Sequence, residues 1–119
     1  MQKEFISLLE WLRFSEIRVN RNDKFPSPSV VETTGSQSII PAITAEKNGT
    51  NYLFEIFTED IHKLPEKSNK LVNFCLYAHN RSQNEAIMVI PFGKKESITR
   101  WCNTQNIPTP PLWEITITY

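Results

Sequence analysis

The sequence predicts a single domain of mixed α and β structure, in which helices pack against a mixed β-sheet. Three observations favour this fold class. The 119 residues are enough for one domain with a core of its own. Hydrophobic residues make up 39% of the chain, which is typical of a folded sequence rather than a disordered one. The periodic segments follow the order α-β-β-β-α-β-α-β, which places strands and helices in one layered unit.

The first element is an amphipathic helix. Phe5, Leu8, Leu9 and Leu12 follow the spacing of one helical face, and polar residues lie between them. If the same period continues for one more turn, Glu16 joins that apolar face. We therefore expect a first helix that carries a glutamate near its end.

Three strands are expected next, after a loop over 20–29. The β-prone runs are 29–34, 39–46 and 50–58. Turn residues separate each run from the next, as in a meander of neighbouring strands. We therefore expect these three strands to lie side by side in the sheet.

The last two of these strands form a hairpin. Asn48-Gly49 lies between them, and an Asn-Gly pair between β-prone runs is the strongest short hairpin signal. A two-residue type I′ turn fixes the register and places Ala42 opposite Glu55. The alternation of a strand then puts Glu55 on the same face as Leu53 and Phe57.

The second half of the chain predicts two helices, each followed by a strand. The expected helices cover 66–79 and 94–105, and the expected strands cover 86–92 and 113–119. The strand over 86–92 is a continuous apolar run, which is typical of a strand covered on both faces. In the last helix we expect Ile98, Trp101 and Cys102 to face inwards.

Composition and charge exclude several classes of protein. Lys and Arg number 13, as do Asp and Glu, so the chain does not bind nucleic acid through bulk charge. Cys75 and Cys102 lack the spacing of a metal or redox motif, which favours buried free thiols in a reducing compartment. No apolar run is long enough for a membrane span, and no signal-peptide pattern opens the chain. We expect a cytoplasmic protein without a membrane partner.

Residues 40–58 resemble the core hairpin of the PD-(D/E)XK nucleases, which have the restriction-endonuclease-like fold. Pro41-Ala42 stands where that family has Pro-Asp, and Glu55-Ile56-Phe57 stands where it has Glu-x-Lys or Glu-x-Glu. The order of elements is also similar to the core order of the family. The resemblance implies one restriction-endonuclease-like domain over 1–119. It also implies a site where two carboxylates across the hairpin hold Mg²⁺ or Mn²⁺.

The motif of this chain is degenerate. Glu55 matches the glutamate of the family and is the one metal ligand that the resemblance implies. Ala42 and Phe57 stand at motif positions and carry neither the acid nor the lysine. An active site would have to be rebuilt with other carboxylates, for which Glu16 and Glu59 are the candidates beside Glu55.

Three functions follow as alternatives. The first is a catalytically degenerate nuclease-like protein that needs no cofactor and binds nucleic acid or a protein partner. The second is an active nuclease that depends on Mg²⁺ or Mn²⁺ and uses a site rebuilt around Glu55. The third is a non-enzymatic α/β interaction module, for example a homodimer. The candidate contacts to nucleic acid are Lys63, Lys67, Lys70, Lys94 and Lys95.

Overall fold

The structure is a computed structural model that describes residues 2–29, 31–32, 38–57, 68–79 and 84–116. The elements in chain order are α1 (Gln2–Trp11), β1 (Ser15–Val19), β2 (Val31–Glu32), β3 (Ser38–Ile39), β4 (Ile43–Lys47), β5 (Thr50–Ile56), α2 (Ser68–His79), β6 (Asn84–Pro91), α3 (Lys95–Thr104) and β7 (Leu112–Ile115). Five of these strands form the main sheet, and β2 pairs with β3 in a small separate sheet. When only the helices and the five strands of the main sheet are counted, the predicted order α-β-β-β-α-β-α-β is confirmed.

The main sheet is mixed and has the strand order β1-β4-β5-β6-β7. Antiparallel pairs join β1, β4 and β5, and parallel pairs join β5, β6 and β7. Parallel neighbours need a long crossover connection, which α2 and α3 supply here. Strands β5, β6 and β7 therefore place their carboxyl ends at one edge of the sheet.

Helices cover both faces of this sheet. The buried side chains of α1 pack with Ile43, Phe54 and Val89 on one face, which we call the α1 face. The buried side chains of α2 and α3 pack with Leu53 and Met88 on the other, which we call the α2/α3 face. Strand β6 lies between the two layers, and its residues 86–90 are all buried, as its apolar sequence predicts.

The strand beside the hairpin differs from the sequence prediction. Strand β4 pairs with β1, whereas the run at 29–34 was expected in that place. In the described part of that run, Val31–Glu32 pairs with Ser38–Ile39, outside the main sheet. Glu16, expected on the first helix, lies in β1 instead.

The cause of this difference is the early end of α1. The N–H of Phe14 donates to Leu9 O at 3.0 Å, and the N–H of Arg13 donates to Glu10 O at 3.1 Å. Arg13 has a left-handed backbone with φ of 67°. These two bonds around a left-handed residue form a Schellman motif, which closes a helix. Glycine is the usual residue at that position, so the arginine here does not indicate from the sequence that the helix ends.

Helix α3 ends in the same way, with a clearer signal. The N–H of Ile107 donates to Cys102 O at 3.0 Å, and the N–H of Asn106 donates to Asn103 O at 3.1 Å. Asn106 has φ of 58°, and asparagine tolerates a left-handed backbone better than most residues. The three residues expected to face inwards from α3 are all buried.

Candidate functional site

The hairpin of β4 and β5 has the predicted turn. Asn48 and Gly49 have φ of 53° and 80°, and a type I′ turn needs a positive φ at both of its central residues. The pairs run from Lys47 with Thr50 to Ile43 with Phe54, which is the predicted register. Ile43 is the first residue of β4, so the recorded pairs end just before Ala42 and Glu55 would meet.

The two faces of β5 also alternate as predicted. Leu53 and Phe57 belong to the α2/α3 face, and Tyr52, Phe54 and Ile56 belong to the α1 face. Glu55 lies between Leu53 and Phe57 in this alternation. It is half-buried and is the register partner of Met88 in β6.

Ala42 has a different environment from the one that the register alone would give. It precedes β4, and its side chain packs against the cluster on the α1 face. Its carbonyl oxygen accepts a hydrogen bond from the N–H of Asn20 at 2.9 Å. Strand alternation no longer governs a residue outside the strand, so Ala42 does not share the face of Leu53.

Phe57 occupies the third motif position. Its ring is half-buried against the cluster on the α2/α3 face, and its N–H donates to Val89 O at 2.9 Å. Neither this ring nor the methyl group of Ala42 offers an oxygen or nitrogen ligand. The motif residues that the structure describes therefore do not fit an Mg²⁺ or Mn²⁺ site, since Glu55 alone supplies a carboxylate.

Glu16 lies near the other end of the sheet. Between the pairs Ser15–Glu46 and Arg18–Thr44, β1 has one residue more than β4, which is a β-bulge. Glu16 is in this bulge and has φ of 52°. In the sheet, Glu16 is level with the first residues of β5, whereas Glu55 is close to the carboxyl end of β5.

A cleft of about 420 Å³ opens beside this bulge. Its lining includes Glu16, Glu46, Arg18 and Asn84 but not Glu55. Asn84 Nδ2 donates to the hydroxyl of Tyr77 at 3.1 Å, which ties α2 to the start of β6 at the rim. Sequence reasoning missed this cleft, because the first helix was extended to Glu16 and no strand was expected over 15–19.

The structure describes only some of the remaining candidate residues. Glu59, Lys63 and Lys67 lie outside the described residues, and Lys70 lies in the first turn of α2. Lys94 and Lys95 are both exposed, just after β6.

Lys94 and Lys95 lie at the same edge of the sheet as Glu55. Strands β5 and β6 are parallel, so their carboxyl ends meet at one edge. Glu55 is next to last in β5, and Lys94 follows the turn after β6. At this turn the N–H of Gly93 donates to Glu114 Oε2 at 2.8 Å, which ties the approach to α3 to β7.

Among the residues that the structure describes, no group of three or more His, Cys, Asp or Glu side chains is placed to hold a metal ion. None of the described helices is long and apolar enough to cross a membrane.

We compared the chain with models of protein families, with curated proteins and with solved structures, and no match was found in any of the three.

Proposed function

We propose that this chain is a catalytically inactive PD-(D/E)XK nuclease-like protein that binds nucleic acid in the cytoplasm. One observation carries the proposal: the methyl group of Ala42 packs into the α1 face at the position where the nuclease motif has its metal-binding aspartate. The element order and the hairpin register support the nuclease-like part. Position 42 has no acid and position 57 has no lysine, which supports the proposal that the protein is catalytically inactive.

The binding part of the proposal rests on the edge of the sheet where Glu55 lies. Lys94 and Lys95 are exposed there, at the start of α3. The net charge of the whole chain is zero, so attraction to phosphate has to come from such a local group. Two lysines that contact phosphates give an affinity that falls as salt is raised.

A cleavage assay tests whether the protein lacks nuclease activity. Single- and double-stranded DNA and RNA would be incubated with the protein and Mg²⁺, and then with Mn²⁺. We expect no cleavage by the wild type or by Glu55→Ala. Cleavage by the wild type that Glu55→Ala abolishes would favour the active nuclease with a rebuilt site instead.

A binding assay tests the nucleic-acid part. Fluorescence anisotropy of labelled oligonucleotides would be followed from low to physiological salt. We expect the double substitution Lys94→Glu and Lys95→Glu to weaken binding at least about tenfold and to reduce the salt slope by about 2.

The matched control changes the same charge elsewhere. Arg13→Glu and Arg18→Glu alter two exposed residues before and within β1, the edge strand that β4 and β5 separate from β6. This variant should keep the wild-type affinity within about twofold if phosphate contacts are local. No binding by the wild type, or equal losses in the two variants, would contradict the proposal.

A second candidate is a non-enzymatic module that associates with another copy of the chain. Trp11 and Phe92 are 78% and 74% exposed, and large exposed aromatic side chains are enriched at protein interfaces. Light scattering over a range of concentrations distinguishes this candidate. A dimer that Trp11→Ser dissociates would support it, and a constant mass near 13.8 kDa would exclude it.

A further inference from the structure

Two cysteines from different helices meet in the core of the α2/α3 face. Cys75 lies in α2 and Cys102 lies in α3, and both are fully buried in the same cluster. Each thiol shifts the pKa of the other, and a hydrogen bond between them is the largest cause of both shifts. Along the chain, β6 lies between the helices that carry them. A bond between the two sulfurs would therefore connect two elements that otherwise hold together by packing.

The two thiols are not equivalent. Cys102 accepts hydrogen bonds from Cys75 and from the hydroxyl of Thr109, and these bonds lower its pKa to about 7. The pKa of Cys75 is raised, first by its hydrogen bond to Cys102 and then by burial. Because the thiolate is the reactive form of cysteine, Cys102 is the first sulfur to react.

Cys102 is fully buried, but one of its partners lies at the surface. Its partner Thr109 is an exposed residue of the segment between α3 and β7. A small displacement of that segment would let a small oxidant reach Cys102. The partner of Cys75 is the buried thiol of Cys102.

We propose that Cys75 and Cys102 form a reversible disulfide that cross-links α2 to α3 when the protein meets a peroxide. The Cys102 thiolate attacks one oxygen of hydrogen peroxide, the O–O bond breaks, and the sulfur becomes a sulfenic acid. The other oxygen leaves as hydroxide and takes up a proton to become water. Cys75 then gives up its proton and attacks the Cys102 sulfur. The S–S bond forms and the sulfenic oxygen leaves as water. Both electrons come from the thiols, and the peroxide is reduced to two molecules of water.

Intact-mass measurement tests this step on the wild-type protein. The reduced protein would be treated with a small excess of hydrogen peroxide. We expect a loss of about 2 Da, no remaining free thiol, and reversal by dithiothreitol. Since the chain has two cysteines, a monomeric product with this mass contains the Cys75–Cys102 bond.

The two alanine variants test the order of the steps. In Cys75→Ala the sulfenic acid has no partner, so we expect a gain of about 16 Da at Cys102 that dimedone captures. In Cys102→Ala we expect the remaining thiol to react at least about tenfold more slowly. Both variants would be checked for folding by circular dichroism.

Stability gives a third measurement. A cross-link between α2 and α3 should raise the urea midpoint of the oxidised wild type by about 1 M or more. The proposal would be overturned by a wild-type mass that does not change, by a mass that rises without the loss of about 2 Da, or by a disulfide-linked dimer. It does not depend on the proposed function, since neither cysteine belongs to the nuclease motif.

Discussion

The two faces of the sheet are built from different side chains. On the α1 face, the ring of Phe54 is surrounded by other rings, with centroids 4.9 Å away at Phe5, 5.5 Å at Trp113 and 5.9 Å at Phe14. On the α2/α3 face, the buried rings of Phe74 and Trp101 come from the helices and pack beside Met88 and the two thiols. A single helix covers the first face in the described part of the chain, whereas two helices cover the second.

The difference shows that β5 contributes side chains to two cores of different composition. Large rings fill space with few residues, because each buries about 150–250 Å². One short helix is therefore enough where β5 supplies Tyr52 and Phe54. Where β5 supplies Leu53 and Glu55, the large buried rings come from two helices, as Phe74 and Trp101. The motif residues divide along the same line, with Ala42 on the α1 face and Phe57 on the other.

The largest effect should come from removing the central ring of the α1 face. We expect Phe54→Ala to lower the free energy of unfolding by about 4 kcal/mol, through lost burial and the cavity left behind. Edge-to-face contacts with neighbouring rings add to this loss. Urea denaturation followed by tryptophan fluorescence measures it.

Phe54→Leu is the control for this prediction. It keeps an apolar side chain of nearly the same volume, so we expect it to lose less than half as much stability as Phe54→Ala. Similar losses in the two variants would show that ring contacts, rather than filled volume, stabilise the α1 face.

A smaller effect is expected from the thiols of the other face. Cys75→Ser places a hydroxyl in an apolar, fully buried position, and we expect a loss of about 2 kcal/mol. Cys102→Ser should lose only about 1 kcal/mol, because the Thr109 hydroxyl is already beside that sulfur and can pair with the new one. Urea midpoints of the reduced proteins give both values. Equal losses would mean that Thr109 does not compensate.

The sequence was sufficient for the elements whose signals are local and strong. The Asn48-Gly49 turn fixed the hairpin register, and the apolar run at 86–92 identified the buried strand. The spacing of Ile98, Trp101 and Cys102 identified the inner side of α3. The first strand of the sheet was misplaced, because Arg13 ends α1 with a left-handed backbone that arginine does not predict.

The candidate site was predictable in its residues but not in its arrangement. Short spacing along the hairpin located Glu55 and its neighbours on the correct face. The packing of Ala42 depends on where β4 begins, and the position of Glu16 depends on the bulge in β1. Both are decided by tertiary contacts of β1, a strand that the sequence analysis did not predict.

The smallest effect concerns the two helix ends, one on each face. Arg13 and Asn106 occupy equivalent left-handed positions with φ of 67° and 58°. Glycine adopts this backbone without a Cβ clash, so Arg13→Gly should raise the free energy of unfolding by about 1 kcal/mol. Asparagine already tolerates the conformation, so Asn106→Gly should raise it by only about 0.3 kcal/mol.

Arg13→Ala separates backbone strain from loss of the exposed side chain. Alanine keeps the Cβ, so this variant should not be more stable than the wild type. A gain in Arg13→Ala equal to that in Arg13→Gly would mean that the arginine side chain, rather than its backbone, destabilises the end of α1. Equal gains from glycine at both positions would mean that asparagine bears the same strain as arginine. The clearer sequence signal at the end of α3 would then not reflect a lower energetic cost.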